Sequence, residues 1–121
     1  MKRNLDLIRH ILLTIEESEK PRLTGIDFEN ENFDSKQISY HIQLLIDSSY
    51  IEASSFSSIG QGFPDFIVRR ITNQGHDFID SIRDNNVFVE TKNNLLKVGG
   101  SASFEIVKSV ATKVLEHYLG I

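Results

Sequence analysis

Apolar residues recur at helical spacing in the segment 34–51, DSKQISYHIQLLIDSSYI. Read as a helix, the segment places four apolar residues on one side, at separations of four, three and one: Ile38, Ile42, Leu45 and Ile46. The opposite face carries side chains that hydrogen-bond without needing burial: Lys36, Ser39, Tyr40, Gln43 and Asp47. Asp34 or Ser35 can cap the first turn, because a short side-chain oxygen accepts from the free amides there. The pattern predicts an amphipathic helix followed directly by a strand.

The same reading predicts four further helices and a β-hairpin. The other helices are expected at residues 5–15, capped by Asn4, at 72–84, at 87–98 and after Ser103, where Val107, Val110, Ala111, Val114 and Tyr118 form an apolar stripe. Strands are expected at 50–56 and 66–71, joined by a flexible loop over 57–65. No helix is predicted between Pro21 and Asp34, where residues 23–28 alternate like a short strand. The predicted fold is mainly α with a small antiparallel β-hairpin, a winged helix-turn-helix-like domain with a C-terminal helical extension.

Length and composition predict a single domain. A chain of 121 residues that is 40% hydrophobic and 25% charged can bury one substantial core. We expect a winged-helix-like core over residues 1–84, with a C-terminal helical pair over 85–121 packed on it. No apolar run approaches the length of a membrane span, and the chain has no cysteine. These features predict a cytoplasmic protein without membrane association, disulfides or thiolate metal sites.

The acidic excess is concentrated around the central helix. The net charge is −4. Residues 23–52 contain one basic residue, Lys36, against six acidic ones, a local net charge of −5. Because affinity for DNA comes largely from neutralising phosphates, this excess opposes DNA binding.

No catalytic or metal-binding motif is present. The four histidines lie in different predicted elements, and none has the spacing of a helical zinc pair. The acidic run from Asp27 to Asp34 lacks the glycine and the final glutamate of a calcium loop, because Asn32 and Ile38 stand at those positions. We therefore predict no enzymatic activity, no cofactor and no metal. His41, at the edge of the apolar face, is interpreted first as a partly buried, hydrogen-bonded residue and second as a ligand.

Two segments resemble bacterial regulators. SYHIQLLIDSSYI at 39–51 is similar to the recognition helix and first wing strand of ArsR-type and MarR-type proteins, with Ser49 where those have glycine. ITNQGHDFIDSIRD at 71–84 resembles the segment that follows their wing. Over nearly its whole length the chain resembles an uncharacterised bacterial and phage family, domain of unknown function 2513. That resemblance implies a winged-helix-like fold and a phage or mobile-element origin, and it implies no catalytic residues.

The leading hypothesis is a small non-enzymatic regulator that binds DNA. The candidate DNA-binding residues are Lys36, Ser39, Tyr40 and Gln43 on the helix and Arg69 and Arg70 on the second strand. Glutamine can pair with an adenine edge, whereas lysine and arginine meet phosphates. Neighbouring strand residues point to opposite faces, so only one of the two arginines is expected to be free.

Two other interpretations stay open. In the first, the polar face of the helix within 34–51 is only solvated, and one of the two arginines pairs with Glu52 or Asp65. In the second, the protein is an interaction adaptor that uses the acidic turn at 27–34 or the apolar loop residues Phe56, Ile59 and Phe63 as its surface. The last helix can also pair across a two-fold axis, which would make a homodimer.

Overall fold

The computed structural model of the chain describes residues 1–57 and 59–121; Ser58, in the predicted loop between the strands, lies outside the described residues. The described chain is mainly helical, with five α-helices and a two-stranded antiparallel hairpin. Its elements in chain order are helix α1 (Leu5–Glu17), a 3₁₀ turn (Gly25–Phe28), helix α2 (Ser35–Asp47), strands β1 (Ile51–Phe56) and β2 (Asp65–Ile71), and helices α3 (Asn73–Ile82), α4 (Asn85–Leu95) and α5 (Phe104–Leu119). A second 3₁₀ turn, Leu96–Val98, follows α4 directly.

The predicted helix starts agree with the observed caps. Asn4, Asp34 and Ser103 each accept, through a side-chain oxygen, from a backbone N–H of the first turn, at 3.2, 2.9 and 3.2 Å respectively. Such short local bonds satisfy amides that have no partner within the helix. The caps predicted at Asn4 and Ser103 are confirmed, and of the two alternatives for α2, Asp34 and Ser35, the cap is Asp34.

The short strand predicted for residues 23–28 is only partly present. Leu23 forms a single antiparallel bridge with Val68, through N–H to carbonyl bonds of 2.9 and 2.7 Å. The chain then enters the 3₁₀ turn instead of continuing as a strand. A capping box explains the change, since the Asp27 carboxylate accepts from the Thr24 N–H at 2.8 Å and begins a turn there.

The chain forms two compact units, Met1–His76 and Asp77–Ile121. In the first unit, α1, the 3₁₀ turn, α2 and the hairpin contribute the buried core, whose largest members are Leu7, Ile8, Ile11, Leu12, Phe28, Ile38, Ile42, Leu45 and Phe66. Asp27 is held at the edge of this unit by Lys20, which donates to it at 2.7 Å. The division into 1–84 and 85–121 made from the sequence stays a prediction.

The second unit is built largely by α4 and α5. The residues that these two helices bury are Val87, Phe88, Thr91, Leu95, Phe104, Val107, Ala111 and Val114. Phe104 also meets Phe78 of α3, with ring centroids 5.2 Å apart. Tyr118, predicted as part of the buried stripe, is 55% exposed, because it lies in the last turn of α5. None of the helices in residues 1–57 and 59–121 is long and apolar enough to cross a membrane.

Candidate nucleic-acid interface

Helix α2 begins with a complete capping box. The Asp34 carboxylate accepts from the Gln37 backbone N–H at 2.9 Å, and the Gln37 side-chain oxygen accepts from the Asp34 N–H at 3.1 Å. Each of the two residues thus satisfies a backbone donor of the other. This cap fixes the first residue of α2.

Helix α2 ends in a turn that aims the chain into β1. Ser49 has φ of +60°, in the left-handed region. Its N–H donates to the Ile46 carbonyl and the Tyr50 N–H donates to the Leu45 carbonyl, both at 2.9 Å. This pair of bonds is a Schellman motif, in which glycine is the usual left-handed residue. Ser49 therefore occupies a position that favours glycine.

His41 is a polar residue on the buried side of α2. The predicted apolar residues Ile38, Ile42 and Leu45 are fully buried, whereas Ile46 is half-buried. His41 is 1% exposed, and its Nε2 accepts from the Asn4 N–H at 2.8 Å while its Nδ1 donates to the Gln37 carbonyl at 2.8 Å. Burial lowers the pKa of His41 below its ordinary value, because the charged ring loses solvation. His41 therefore ties α2 to the start of α1 as a neutral ring.

The outward face of α2 carries a ridge of four side chains. Lys36, Tyr40, Gln43 and Asp47 are exposed and follow one another at helical spacings of four, three and four. The Gln43 amide donates to the Asp47 carboxylate at 2.8 Å. The prediction that Tyr40 and Gln43 look out into solvent is confirmed.

Ser39 does not belong to this ridge. It was predicted on the polar face, but it is 6% exposed and its hydroxyl donates to the Pro64 carbonyl at 2.7 Å. The bond joins the first half of α2 to the residue that precedes β2. Ser39 is therefore corrected from a candidate DNA contact to a residue that holds the helix against the hairpin.

A β-bulge exposes both candidate arginines. The register runs from Glu52 opposite Arg70 to Ala53 opposite Val68, so Arg69 is the extra residue on β2. An extra residue breaks the alternation of side chains along a strand. The expectation that only one arginine would be free of the core is thus wrong, since Arg69 and Arg70 are both exposed.

The two arginines have different partners. Arg70 donates to the Glu52 carboxylate at 2.7 Å, in an ion pair that is open to solvent on both sides. The hydrogen bond from Arg70, and then the charges of Arg70 and Arg69, hold the pKa of Glu52 below its ordinary value. Arg69 itself donates to the Ser54 hydroxyl at 2.8 Å, a neutral partner. Arg69 is therefore the candidate cation of the hairpin whose charge is balanced least directly.

Comparisons with known proteins identify the family. A family model described as Hypothetical protein (DUF2513) matches residues 2–101. The chain belongs to the DUF2513 family. An "Uncharacterized protein" of Haemophilus influenzae (strain ATCC 51907 / DSM 11121 / KW20 / Rd) is 35% identical over 119 residues, which cover 98% of this chain and 99% of the relative. No solved structure matches the chain.

In this DUF2513 chain, the matched residues include every candidate interface residue. They also include Thr72 and Gly75, which connect α3 to the hairpin. Thr72 donates through its hydroxyl to the Ser49 carbonyl at 2.6 Å and accepts from the Gly75 N–H at 3.1 Å. This threonine therefore links the turn after α2 to the first turn of α3.

Two contributors to this DUF2513 surface were missed in the sequence. The sequence analysis places Asp47 on the hydrogen-bonding face of α2 without a partner, and the structure shows that it accepts from the Gln43 amide. Ser54 was not singled out, yet it holds Arg69. The spacing of four between Gln43 and Asp47 on a helix was a usable signal. No sequence signal marks Ser54, because its pairing depends on the bulge.

Proposed function

We propose that this DUF2513 protein is a small, non-enzymatic DNA-binding regulator whose first unit is a winged-helix domain. The supporting observation is the pairing of an exposed polar ridge on α2 with a hairpin that presents two adjacent arginines. Helix α2 would enter the major groove, and the hairpin would lie along the phosphate backbone.

The order of elements supports the winged-helix assignment. Helix α1, the bridging residue Leu23, the 3₁₀ turn, α2 and the hairpin follow one another in the first unit. The 3₁₀ turn occupies the place in the chain where a helix-turn-helix has the helix before its recognition helix. Only one turn is available there, so phosphate contacts would come from other elements.

Base recognition is assigned to the ridge. Tyr40 is 42% exposed and stands edge-on to the buried ring of His41, with centroids 5.8 Å apart. That contact restrains the Tyr40 ring, so less conformational freedom is lost on binding. The side-chain amide of Gln43 can pair with an adenine edge once its hydrogen bond to Asp47 is replaced by hydrogen bonds to the base.

We predict that Tyr40→Ala and Gln43→Ala each weaken specific DNA binding while leaving the fold intact. The expected loss is about 1–3 kcal/mol per substitution, the value of a good base contact. Fluorescence anisotropy at low salt would measure it, with duplexes selected from the gene's own upstream region and from a random pool. Ser109→Ala, an exposed change in α5, is the matched control.

Failure of this experiment has a definite form. If no duplex is retained at low salt, the DNA-binding proposal is wrong. If duplexes bind but the two ridge variants match the Ser109→Ala control, α2 is not the reading helix.

A protein-interaction role is the second candidate, and carboxylate pairing favours it. Asp47 accepts a hydrogen bond from the Gln43 amide, and Glu52 accepts one from Arg70. Both the α2 ridge and the hairpin therefore have an acidic group beside a candidate DNA-binding residue. A basic protein partner would find these carboxylates favourable, whereas DNA phosphates would not. Pull-down from the host would separate the two roles, since recovery of nucleic acid alone contradicts the adaptor.

A further inference from the structure

We propose that the first unit carries a second binding site, for an extended basic peptide segment with one large apolar side chain. The site is a cleft of about 360 Å³ between the 3₁₀ turn, the first turn of α2 and the residues before β2. We call it the wing-base cleft, and its main lining residues are Ile26, Glu29, Ser35, Phe63, Pro64 and Asp65. It does not include the α2 ridge or the hairpin arginines, so it does not depend on DNA binding.

The wing-base cleft has an apolar wall that is open to solvent. Ile26 is 73% exposed although its neighbour in the same 3₁₀ turn, Phe28, is fully buried. Phe63 and Pro64 supply further apolar surface to the same cleft. A large apolar side chain bound among these residues would remove apolar surface of both the ligand and the cleft from water, which favours binding.

The wing-base cleft also has a fixed negative charge. Oδ1 of Asp65 accepts from the backbone N–H groups of Gly25 and Phe66, at 3.0 and 2.7 Å. A Cβ at Gly25 would lie only 2.9 Å from that oxygen, so glycine there allows the carboxylate to approach. Two backbone donors thus hold one carboxylate in a set orientation before any ligand arrives.

Charge complementarity selects the occupant. Glu29 and Asp65 line the wing-base cleft, and its described lining residues include no lysine or arginine. The nearby carboxylates of Glu31 and Asp34 are also exposed. A nucleic acid would be repelled here, whereas a lysine or arginine beside an apolar anchor can lay its stem on the apolar wall and its charge near the carboxylates.

The volume favours a peptide segment over a globular surface. A cleft of about 360 Å³ lies at the low end of the range for binding pockets, about 300–1,000 Å³. It accommodates one large side chain with a short stretch of backbone. The partner is therefore a loop or tail that presents one apolar residue between basic ones.

Nuclear magnetic resonance on the ¹⁵N-labelled full chain tests the site with defined probes. The probe is a blocked five-residue peptide with Leu at its centre and Lys on both sides. One matched peptide has Glu in place of Lys, and another has Ser in place of Leu. We expect saturable shifts at Gly25, Ile26 and the Gln61 side-chain amide with the probe, and no saturable shifts with either matched peptide.

Variants of the chain separate the two contributions. Ile26→Ser removes one apolar residue of the wall and Glu29→Lys reverses one charge. Each substitution should weaken binding of the probe peptide about tenfold or more. Leu96→Ser and Glu105→Lys make the same kinds of change at exposed positions of the second unit and should leave binding unchanged.

Three results would overturn the wing-base proposal. These are no saturable shift with the probe, equal binding of the Glu peptide, and shifts that Ile26→Ser leaves unaltered. Sedimentation of the free chain tests whether a second copy of the chain occupies the cleft instead. Self-association that Ile26→Ser abolishes would assign the cleft to that second copy and overturn the peptide proposal. The DNA assays use other residues and another ligand, so either proposal can fail alone.

Discussion

A single serine with a positive backbone angle joins the proposed reading helix to the hairpin. Ser49 has φ of +60°, in the left-handed region. Any L-residue with a Cβ is strained there by about 1–2 kcal/mol. Its backbone makes the structural contacts, since the N–H donates to Ile46 and the carbonyl accepts from Thr72. The side chain at this position is therefore replaceable, whereas the backbone conformation is not.

We predict that Ser49→Gly stabilises the protein. Relief of the left-handed strain exceeds the added chain entropy of glycine, so the expected gain in the free energy of unfolding is about 0.5–1 kcal/mol. Urea unfolding measures it. Ser48→Gly is the control, because Ser48 has a helical φ of −84° and glycine there should destabilise. A loss of stability in Ser49→Gly would contradict the assigned turn.

His41 is predicted to make stability depend on pH. Its pKa in the folded protein is below the ordinary 6.5, because burial disfavours the charged ring and because Nε2 must stay unprotonated to accept from Asn4. The unfolded chain therefore takes up a proton at a higher pH than the folded protein. The contribution of the neutral ring is complete well above the ordinary pKa of 6.5 and declines as the pH falls below it, by at most about 1.4 kcal/mol per pH unit.

Denaturant unfolding at a series of pH values measures this dependence. The comparison with His41→Gln isolates it, since glutamine cannot titrate. The same slope in both proteins between about pH 5 and 7 would show that another group is responsible.

At the scale of elements, helix α3 approaches the hairpin through a glycine. A Cβ at Gly75 would collide with the Tyr50 carbonyl oxygen and lie 2.6 Å from Cγ2 of Ile71. The Thr72 N–H donates to that same Tyr50 carbonyl at 2.9 Å, so the oxygen cannot move without losing a bond. Close approach of the first turn of α3 to the β1 end of the hairpin therefore requires glycine.

We predict that Gly75→Ala destabilises the protein by about 1–3 kcal/mol, the usual range for overpacking. The sign of the change in the free energy of unfolding distinguishes the two effects, because helix propensity alone would make alanine stabilising by about 1 kcal/mol. Thermal and urea unfolding measure the change, with the exposed neighbour Gln74→Ala as the neutral control. A gain in stability for Gly75→Ala would contradict the close approach of the first turn of α3 to the Tyr50 carbonyl.

At the scale of the whole molecule, charge decides how strongly DNA can be bound. The net charge of −4 opposes phosphate binding, so the hairpin arginines would have to act against a repulsive background. Glu52 reduces their effect further, because it pairs with Arg70 and lies near the charge of Arg69. Removal of the Glu52 carboxylate should therefore raise the affinity for DNA.

We predict that Glu52→Gln tightens DNA binding and steepens its salt dependence by up to about one unit in the log–log slope. Stability should change little, because the ion pair is exposed on both sides. Anisotropy titrations over a salt series measure both quantities, with Glu105→Gln in α5 as the control. Unchanged or weaker DNA affinity would count against the hairpin as a phosphate-binding element, and weaker binding of a basic protein would support the adaptor role.

Local chemistry in the sequence determined the elements. Cap residues such as Asp34 and the periodic isoleucines of α2 located the helix and its buried face, because these effects act within a few residues. The same locality identified Tyr40 and Gln43 as outward-facing.

Tertiary structure alone decided which polar residues remain available. Ser39 is buried because Pro64, which is distant in sequence, accepts its hydroxyl. Both arginines are exposed because a bulge in β2 breaks the alternation on which the sequence argument relied. The burial of Ser39 and the bulge in β2 each depend on contacts with a distant segment, so the pattern within α2 or within β2 did not predict them.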